Sequence, residues 1–476
     1  MTQTLEKDEE IITSEENLND LNKILEYAKI NPIQNLTKEN LEDEIFKRGP
    51  VVVIFGGQLG DEGKGKVTSQ FKDADYVAVG PGGANAGHTV VLKNGKSLAL
   101  HELPGGAIIE KAKVYIGQGR SVNISGLYTE IKQLEENGYD MKGKVIVAGN
   151  AQIIFDNLQK KLDRIIEGLK SKPVGTTAKG MGPTAGLKAL RTGPNFNILL
   201  NDDSTQLREF MEVNCNLFNG LNFEEIRNEI EEEKTLLNKM IAEGYVSIDT
   251  NNMLLNQAAH EGKKILVEAS QSAMLAADGG MYPYNTSNDT GVNGIMSALN
   301  LPEINTSIAV FKSIKSKVGG GFFPTKFEDI EFAQAYRNKS GEYGATTKRP
   351  RDVGYLDAVE GRKVLRTNKT DIIIFTKADM LSELGKTAKV GEEYINKETG
   401  KIYRHEVPTT KEEYSQIEVQ YGPQFDLSQN VTGLKSAEDL PEEYRKYIDY
   451  MLDQLEFKGN VLLGTGPCPD DFVVYK

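Results

Sequence analysis

The chain has 476 residues, a net charge of −13, 39% hydrophobic and 26% charged residues, and two cysteines, Cys215 and Cys468. That composition suits a soluble globular protein with a large core and more than one structural unit. The acid excess argues against a general nucleic-acid or membrane-surface binder, the sparse cysteines fit a reducing, cytoplasmic compartment, and no apolar run approaches the roughly 20 residues of a membrane span.

Residues 1–49 read as an acidic N-terminal extension, helical or partly disordered. Leu18, Leu21, Ile24 and Leu25 recur at helical spacing before Pro32, and Leu41, Ile45 and Phe46 predict a second short helix. The core opens at Val51, where a β-branched run predicts a buried strand feeding the glycine-rich turn that ends at Lys66. Tyr76–Val79 predicts a strand leading into PGGANAGHT (Pro81–Thr89), and Val90–Leu92 with Ser97–Leu100 predict a hairpin. Strands are expected over Val114–Ile116 and Val145–Ala148. Helices are expected over Ser125–Asn137, Leu158–Leu169, Arg208–Leu217 and Phe223–Glu243. Lys264–Glu268, Ser307–Val318, Asp371–Phe375 and Val461–Leu463 predict further strands, with Ile402–Val407 and Ile417–Tyr421 as later strand material and Leu356–Leu365 as a helix. The tracts Pro173–Gly186, Asp278–Asn293 and Gly341–Arg351 are too rich in Gly, Thr or Asn for element interiors and read as functional loops. Alternating strands and helices, with polar loops after strands, predict an α/β fold. Its large, mostly parallel central sheet is flanked by helices, with ligands at the C-terminal strand ends.

Four stretches carry chemistry. Gly60–Lys66, GDEGKGK, has the spacing of a phosphate loop, but Val67 stands where the usual loop places a magnesium-binding hydroxyl. Asp61 can replace that hydroxyl, because Mg2+ takes few protein oxygens beside substrate phosphates. His88 sits in a glycine-flanked polar loop, a setting that suits a proton donor, whereas His101, His260 and His405 lack such context and read as structural. Thr376–Asp379, TKAD, follows an apolar strand; its carboxylate can accept both hydrogens on the N1–H and N2–H edge of guanine. Arg349 and Arg351 beside Thr346 and Thr347 suit a carboxylate or phosphate, the bland alternative being a solvated basic loop.

Taken together and in order, these pieces resemble the adenylosuccinate synthetase family, which joins aspartate to IMP using GTP. The carrying motifs are GDEGKGK, NAGHT (Asn85–Thr89), GTT (Gly175–Thr177) with GMGP (Gly180–Pro183), VEASQ (Val267–Gln271), YPYNTSN (Tyr282–Asn288), GATTKRPR (Gly344–Arg351), LDAV (Leu356–Val359), TKAD and GTGP (Gly464–Pro467). The resemblance implies a P-loop-like GTP-binding synthetase with helical and loop subdomains, its catalytic domain spanning residues 50–476, with Mg2+ as cofactor. It implies that Asp61 is a metal ligand and the base for the purine N1 proton, with the Gly87 backbone also on the metal. It implies that His88 is the acid at the phosphoryl group and purine O6, with Lys64 and Gln271 also catalytic. GTP is expected on Gly60, Glu62, Gly63, Gly65, Lys66, Thr89, Arg351, Lys377, Ala378, Asp379, Gly464, Thr465 and Gly466. IMP is expected on Asn85, Ala86, Thr176, Thr177, Arg191, Gln271, Thr286 and Arg349. L-Aspartate is expected on Val318, Ala345, Thr346, Thr347, Arg349 and Arg351. Arg191 matches an arginine that reaches the neighbouring subunit's site, so a homodimer is expected, with no nucleic-acid or membrane partner.

The implied reaction makes O6 of IMP a good leaving group by phosphoryl transfer from GTP, after which aspartate attacks C6 and expels phosphate. Two alternatives stand beside it: a related synthetase acting on dGMP or GMP, and a GTP-regulated binding switch. The second leaves His88, Arg349 and Arg351 without a role.

Overall fold

All six residues of β1 (Val51–Gly56) are buried, as an unbroken apolar run predicts for a strand covered on both faces. The structure is a computed structural model and describes residues 32–92, 95–171, 175–201, 204–344 and 349–476. The helix expected over Leu18–Leu25 lies outside the described residues. After β1, the strands that frame the site are β2 (Tyr76–Val79), β3 (His88–Val91), β4 (Ser97–Leu100), β5 (Lys113–Ile116), β6 (Val145–Ala148), β7 (Val246–Asp249), β8 (Ile265–Ser272), β9 (Thr306–Lys312), β10 (Lys315–Lys317), β11 (Asp352–Gly354), β12 (Ile372–Thr376), β13 (Asn460–Gly464) and β14 (Phe472–Val474).

Ten of these form one sheet in the order β14-β13-β12-β9-β1-β8-β2-β5-β6-β7. Every neighbouring pair is parallel except β13 with the edge strand β14. The alternation of side chains along β1 divides the interior. Val51, Val53 and Phe55 join a core with Val267 and Phe311, while Val52 and Ile54 join another with Val67, Phe71 and Leu266. A third core gathers Val114, Ile116 and Val147 beneath the helices Ile124–Glu136 and Phe223–Ala242.

The short helix expected around Leu41 runs Leu41–Phe46 and buries Leu41 and Ile45 in the β1 core. The chain just before it is tied to β13, since the Ile33 amide donates to Asn460 Oδ1 at 2.7 Å. Several expected elements shift. The strand expected over Ser307–Val318 is two strands, β9 and β10, because the Gln58 amide takes the Lys312 and Ile314 carbonyls at the break (3.1 and 3.3 Å). The helix expected from Leu158 opens with a π turn at Asp156–Lys160, where the Glu229 carboxylate accepts the Asn157 amide at 2.8 Å. The strand expected over Ile402–Val407 is confined to Ile402–Tyr403. His88 lies at the start of β3, paired opposite Leu100 of β4, and not in the preceding loop. No helix among the described residues is long and apolar enough to cross a membrane.

Candidate active site

The chain leaves β1 at Gly56, turns through Gly57–Gly63, and enters a one-turn helix, Lys64–Thr68. Gly60 and Gly63 adopt φ values of 106° and 93°, and Asp61 adopts 55°, a left-handed conformation uncommon outside glycine. Asp61 therefore stands at the tip of the turn, its side chain 36% exposed. Its neighbour Glu62 turns inward and is buried. There it accepts the Gly60 amide at 2.7 Å, the Lys64 ammonium at 3.0 Å and the Ser272 hydroxyl. Burial opposes ionisation of Glu62, but Lys64, Ser272 and the Gly60 amide outweigh it and hold the carboxyl at about 2. Gly65 allows the next close approach, because a Cβ there would lie 2.8 Å from the Thr89 carbonyl oxygen. This contact seats the helix against β3.

That seating brings the Gly57–Lys66 loop to His88. His88 Nδ1 lies 2.6 Å from Glu268 Oε1 on β8, and both side chains are buried. Burial opposes ionisation of Glu268, yet His88, with Lys64 and Thr68, holds the carboxyl below its ordinary range. The Gly106 amide donates to the other Glu268 oxygen at 3.2 Å. The carboxylate thus fixes the imidazole through Nδ1, while Nε2 is buried with no hydrogen-bond partner. The preceding loop is tied as well, since His101 Nδ1 donates to the Ala86 carbonyl at 2.7 Å.

On the other side of β1, the ends of β12 and β13 collect the expected guanine-site residues. Lys66 Nζ donates to the Gly466 and Asp471 carbonyls, the latter at 3.1 Å, and lies 4.3 Å from the centre of the Phe472 ring. Burial pulls its ammonium down to about 8. Asp379 is buried, and burial raises its carboxyl above the ordinary value. Lys377, at φ 58°, donates to the Ser340 carbonyl at 2.8 Å and to Glu342. The Thr465 hydroxyl is used internally, on the Leu434 carbonyl at 2.9 Å. Arg351 Nη1 donates to Glu342 Oε2 at 2.7 Å, and its Nη2 donates to Asp61.

Leu59, Asn85, Thr176, Thr177, Thr286 and Val318 line one cavity of about 710 Å³. The Asn85 Oδ1 atom is buried without a partner, as is Oε1 of Gln271 near the end of β8. Arg191 is elsewhere. It is exposed and lines a separate hollow of about 840 Å³ with Lys188, Asn150 and Asn195. Arg349 is exposed beside the loop base, where its carbonyl accepts the Gly344 amide at 2.8 Å. Ala345, Thr346 and Thr347 lie outside the described residues.

Three residues of this arrangement escaped the sequence-based selection of site positions: Glu268, Glu342 and Lys312. Lys312 Nζ donates to Glu342 at 2.9 Å, and burial pulls it down to about 8. For Glu268 and Lys312 the available signal was a charge in or closing a buried apolar strand, as in KILVE, since such a charge is costly unless paired; Glu342, in a loop after a helix, carries no such signal.

Comparison with known proteins follows the same lines. The family model described as adenylosuccinate synthetase matches residues 53–473. The chain is 34% identical over 435 residues to the chloroplastic adenylosuccinate synthetase of Ostreococcus tauri, covering 90% of this chain and 88% of that one. It is likewise 34% identical to the enzyme of that name from Paramecium tetraurelia, covering 88% and 96%. Fully ligated adenylosuccinate synthetase from Plasmodium falciparum superposes with a TM-score of 0.81 at 31% identity, covering 90% of this chain and 100% of that one. A cyanophage S-2L succinoaminodeoxyadenylate synthetase bound to dGMP and dATP shares the fold at a TM-score of 0.55 and 17% identity.

Proposed function

The chain belongs to the adenylosuccinate synthetase family, and from that premise we propose which of its residues carry the GTP-dependent joining of L-aspartate to IMP. One observation supports the assignment above others. His88 is clamped by Glu268 through Nδ1, its Nε2 is buried and unpaired, and the Lys64 phosphate loop packs alongside.

Asp61 removes the N1 proton of the purine, which raises the electron density on O6. The γ-phosphoryl group of GTP passes to that oxygen, giving 6-phosphoryl-IMP and GDP. His88 Nε2 meets the transferring group and O6, where its proton offsets developing negative charge. Lys64, paired to buried Glu62, supplies a fixed cation in the phosphate loop. The amino group of aspartate then attacks C6, phosphate leaves, and the nitrogen loses a proton. Asp379 accepts from the guanine edge, with the Lys377 stem along the base and Gly464–Gly466 closing the pocket. Asn85, Thr177, Thr286 and Gln271 hold the IMP, the unpaired Asn85 and Gln271 oxygens being ready acceptors. Arg349 and Arg351 with Ala345–Thr347 and Val318 hold aspartate.

Asp61 and the Gly87 carbonyl are hard oxygen donors, and they suit Mg2+ that completes its shell with phosphate and water. Among the described residues, no group of three or more His, Cys, Asp or Glu forms a cage for a metal ion. When bound, the ion supplies charge neutralisation at the phosphates. Arg191, which lines a hollow separate from the Asn85 cavity, serves the site of a second copy in a homodimer. The free thiols Cys215 and Cys468 suit a reducing compartment such as the cytosol.

The test is direct. Supplied with GTP, Mg2+ and aspartate, the protein converts IMP to the succinyl-purine, seen by mass, and leaves GMP and dGMP unchanged. Turnover of dGMP with IMP untouched would overturn the substrate assignment.

A further inference from the structure

We infer that Glu342 is a positioning residue that couples the guanine site to the amino-acid site. The inference rests on the roles proposed above for Lys377 and Arg351. Glu342 is fully buried, and three cations converge on it. Its Oε1 accepts Lys377 Nζ, the base-reading lysine. Its Oε2 accepts Lys312 Nζ at 2.9 Å and Arg351 Nη1 at 2.7 Å. The far arm of Arg351 reaches Asp61, so one carboxylate stands between the guanine reader and the turn that carries the proton acceptor.

The division of labour between the two oxygens is the point. A carboxylate rotates as a rigid plane, so it cannot follow Lys377 through Oε1 without moving Oε2 away from Arg351. Lys312 removes the remaining freedom, since its ammonium is also held by Ser316 Oγ at 2.5 Å. The backbone adds a second constraint. The Arg351 amide donates to the Glu342 carbonyl at 3.0 Å, and Tyr343 pairs with Pro350, so Glu342 also closes the base of the Gly344–Arg349 loop. Guanine bound on Lys377 thus sets the position of Arg351 before aspartate arrives, and by reciprocity aspartate sets Lys377 for guanine.

The measurement is of binding coupling. With IMP present, L-aspartate is titrated into the full-length protein with and without saturating GDP. In the unaltered protein GDP tightens aspartate binding by about tenfold, and aspartate tightens GDP by the same factor. In Glu342→Gln the factor collapses towards one, while KM for GTP and KM for aspartate rise together by about tenfold and KM for IMP moves less than about threefold. Glu342→Asp retains the charge, so it protects against a folding failure in the glutamine variant, yet it is one methylene too short to serve both oxygens' partners. It loses the coupling too. Survival of the coupling factor in Glu342→Asp, or a Glu342→Gln protein altered only in thermal stability, overturns the inference. Lys377→Met and Arg351→Lys test the underlying site reading separately: if neither raises KM for its own ligand, that reading fails first.

Discussion

His88 is gripped through Nδ1, while its Nε2 is buried without a hydrogen-bond partner, which leaves that nitrogen for the role proposed above. Asp61→Asn and His88→Asn are each expected to lower kcat by at least about a hundredfold in steady-state assays, the scale of lost acid–base groups. Glu268→Gln preserves the shape but removes the clamping charge. It is expected to lower kcat and to alter its pH profile, with KM for GTP little changed. Asp61 drew notice as a carboxylate inside a glycine-rich turn, and His88 through the glycine-rich stretch before it, although it opens β3 itself. Glu268 and Glu342 did not draw notice, because Glu268 meets His88 from 180 positions away, and Glu342 meets Lys312 at the end of β9 and Lys377 just past β12. One buried acid gives a stability prediction. Burial pushes Glu102 up to about 8 despite nearby Arg120. The native protein keeps that proton while the unfolded chain releases it, so Glu102 favours folding below its ordinary value and this contribution disappears as pH rises towards 8. Denaturant titrations between pH of about 5 and about 8 should show that slope shrink in Glu102→Gln.

Among the elements, the Lys64–Thr68 helix and β3 are joined by one glycine. Gly65→Ala would place a methyl 2.8 Å from the Thr89 carbonyl. Separating the two costs about 1–3 kcal/mol, the range for overpacking, and should lower both the melting temperature and kcat. Element types were largely readable, since the apolar runs VVVIF of β1, IIIF of β12 and ILV at the start of β8 have the pattern of strands covered on both faces. Boundaries were harder wherever a side chain substitutes for backbone. Gln58 splits β9 from β10, and Glu229 caps a π turn, and neither partner is near in sequence. The placement of His88 on β3 follows from cross-strand pairing with β4, which local composition does not encode.

At the scale of the molecule, the boundary after residue 49 separates segments that share a core. Deleting residues 1–48 removes buried Leu41 and Ile45 from beneath β1. At about 1.5–3 kcal/mol for each buried side chain, calorimetry should register a clear fall in melting temperature, while kcat well below that temperature changes little. Arg191 belongs to the same scale. Arg191→Leu should weaken IMP use, and mixing it with a His88→Asn protein should restore activity in mixed dimers, because each lesion then falls in a different site. Absence of recovery in verified heterodimers would count against the shared site.

The strand order carries one more consequence. β12 and β13 lie two and three places from β1 on one side, while β8 and β2 lie one and two places away on the other. At about 4.8 Å per strand, the ends of β12 and β13 lie about 10 to 14 Å along the sheet from the end of β1. The turn after β1 crosses that interval, since the Thr376 hydroxyl donates to the Glu62 carbonyl and Lys66 Nζ donates to the Gly466 carbonyl. The glycine-rich turn and the TKAD stretch are therefore laced to each other directly, and a shift in one is carried to the other.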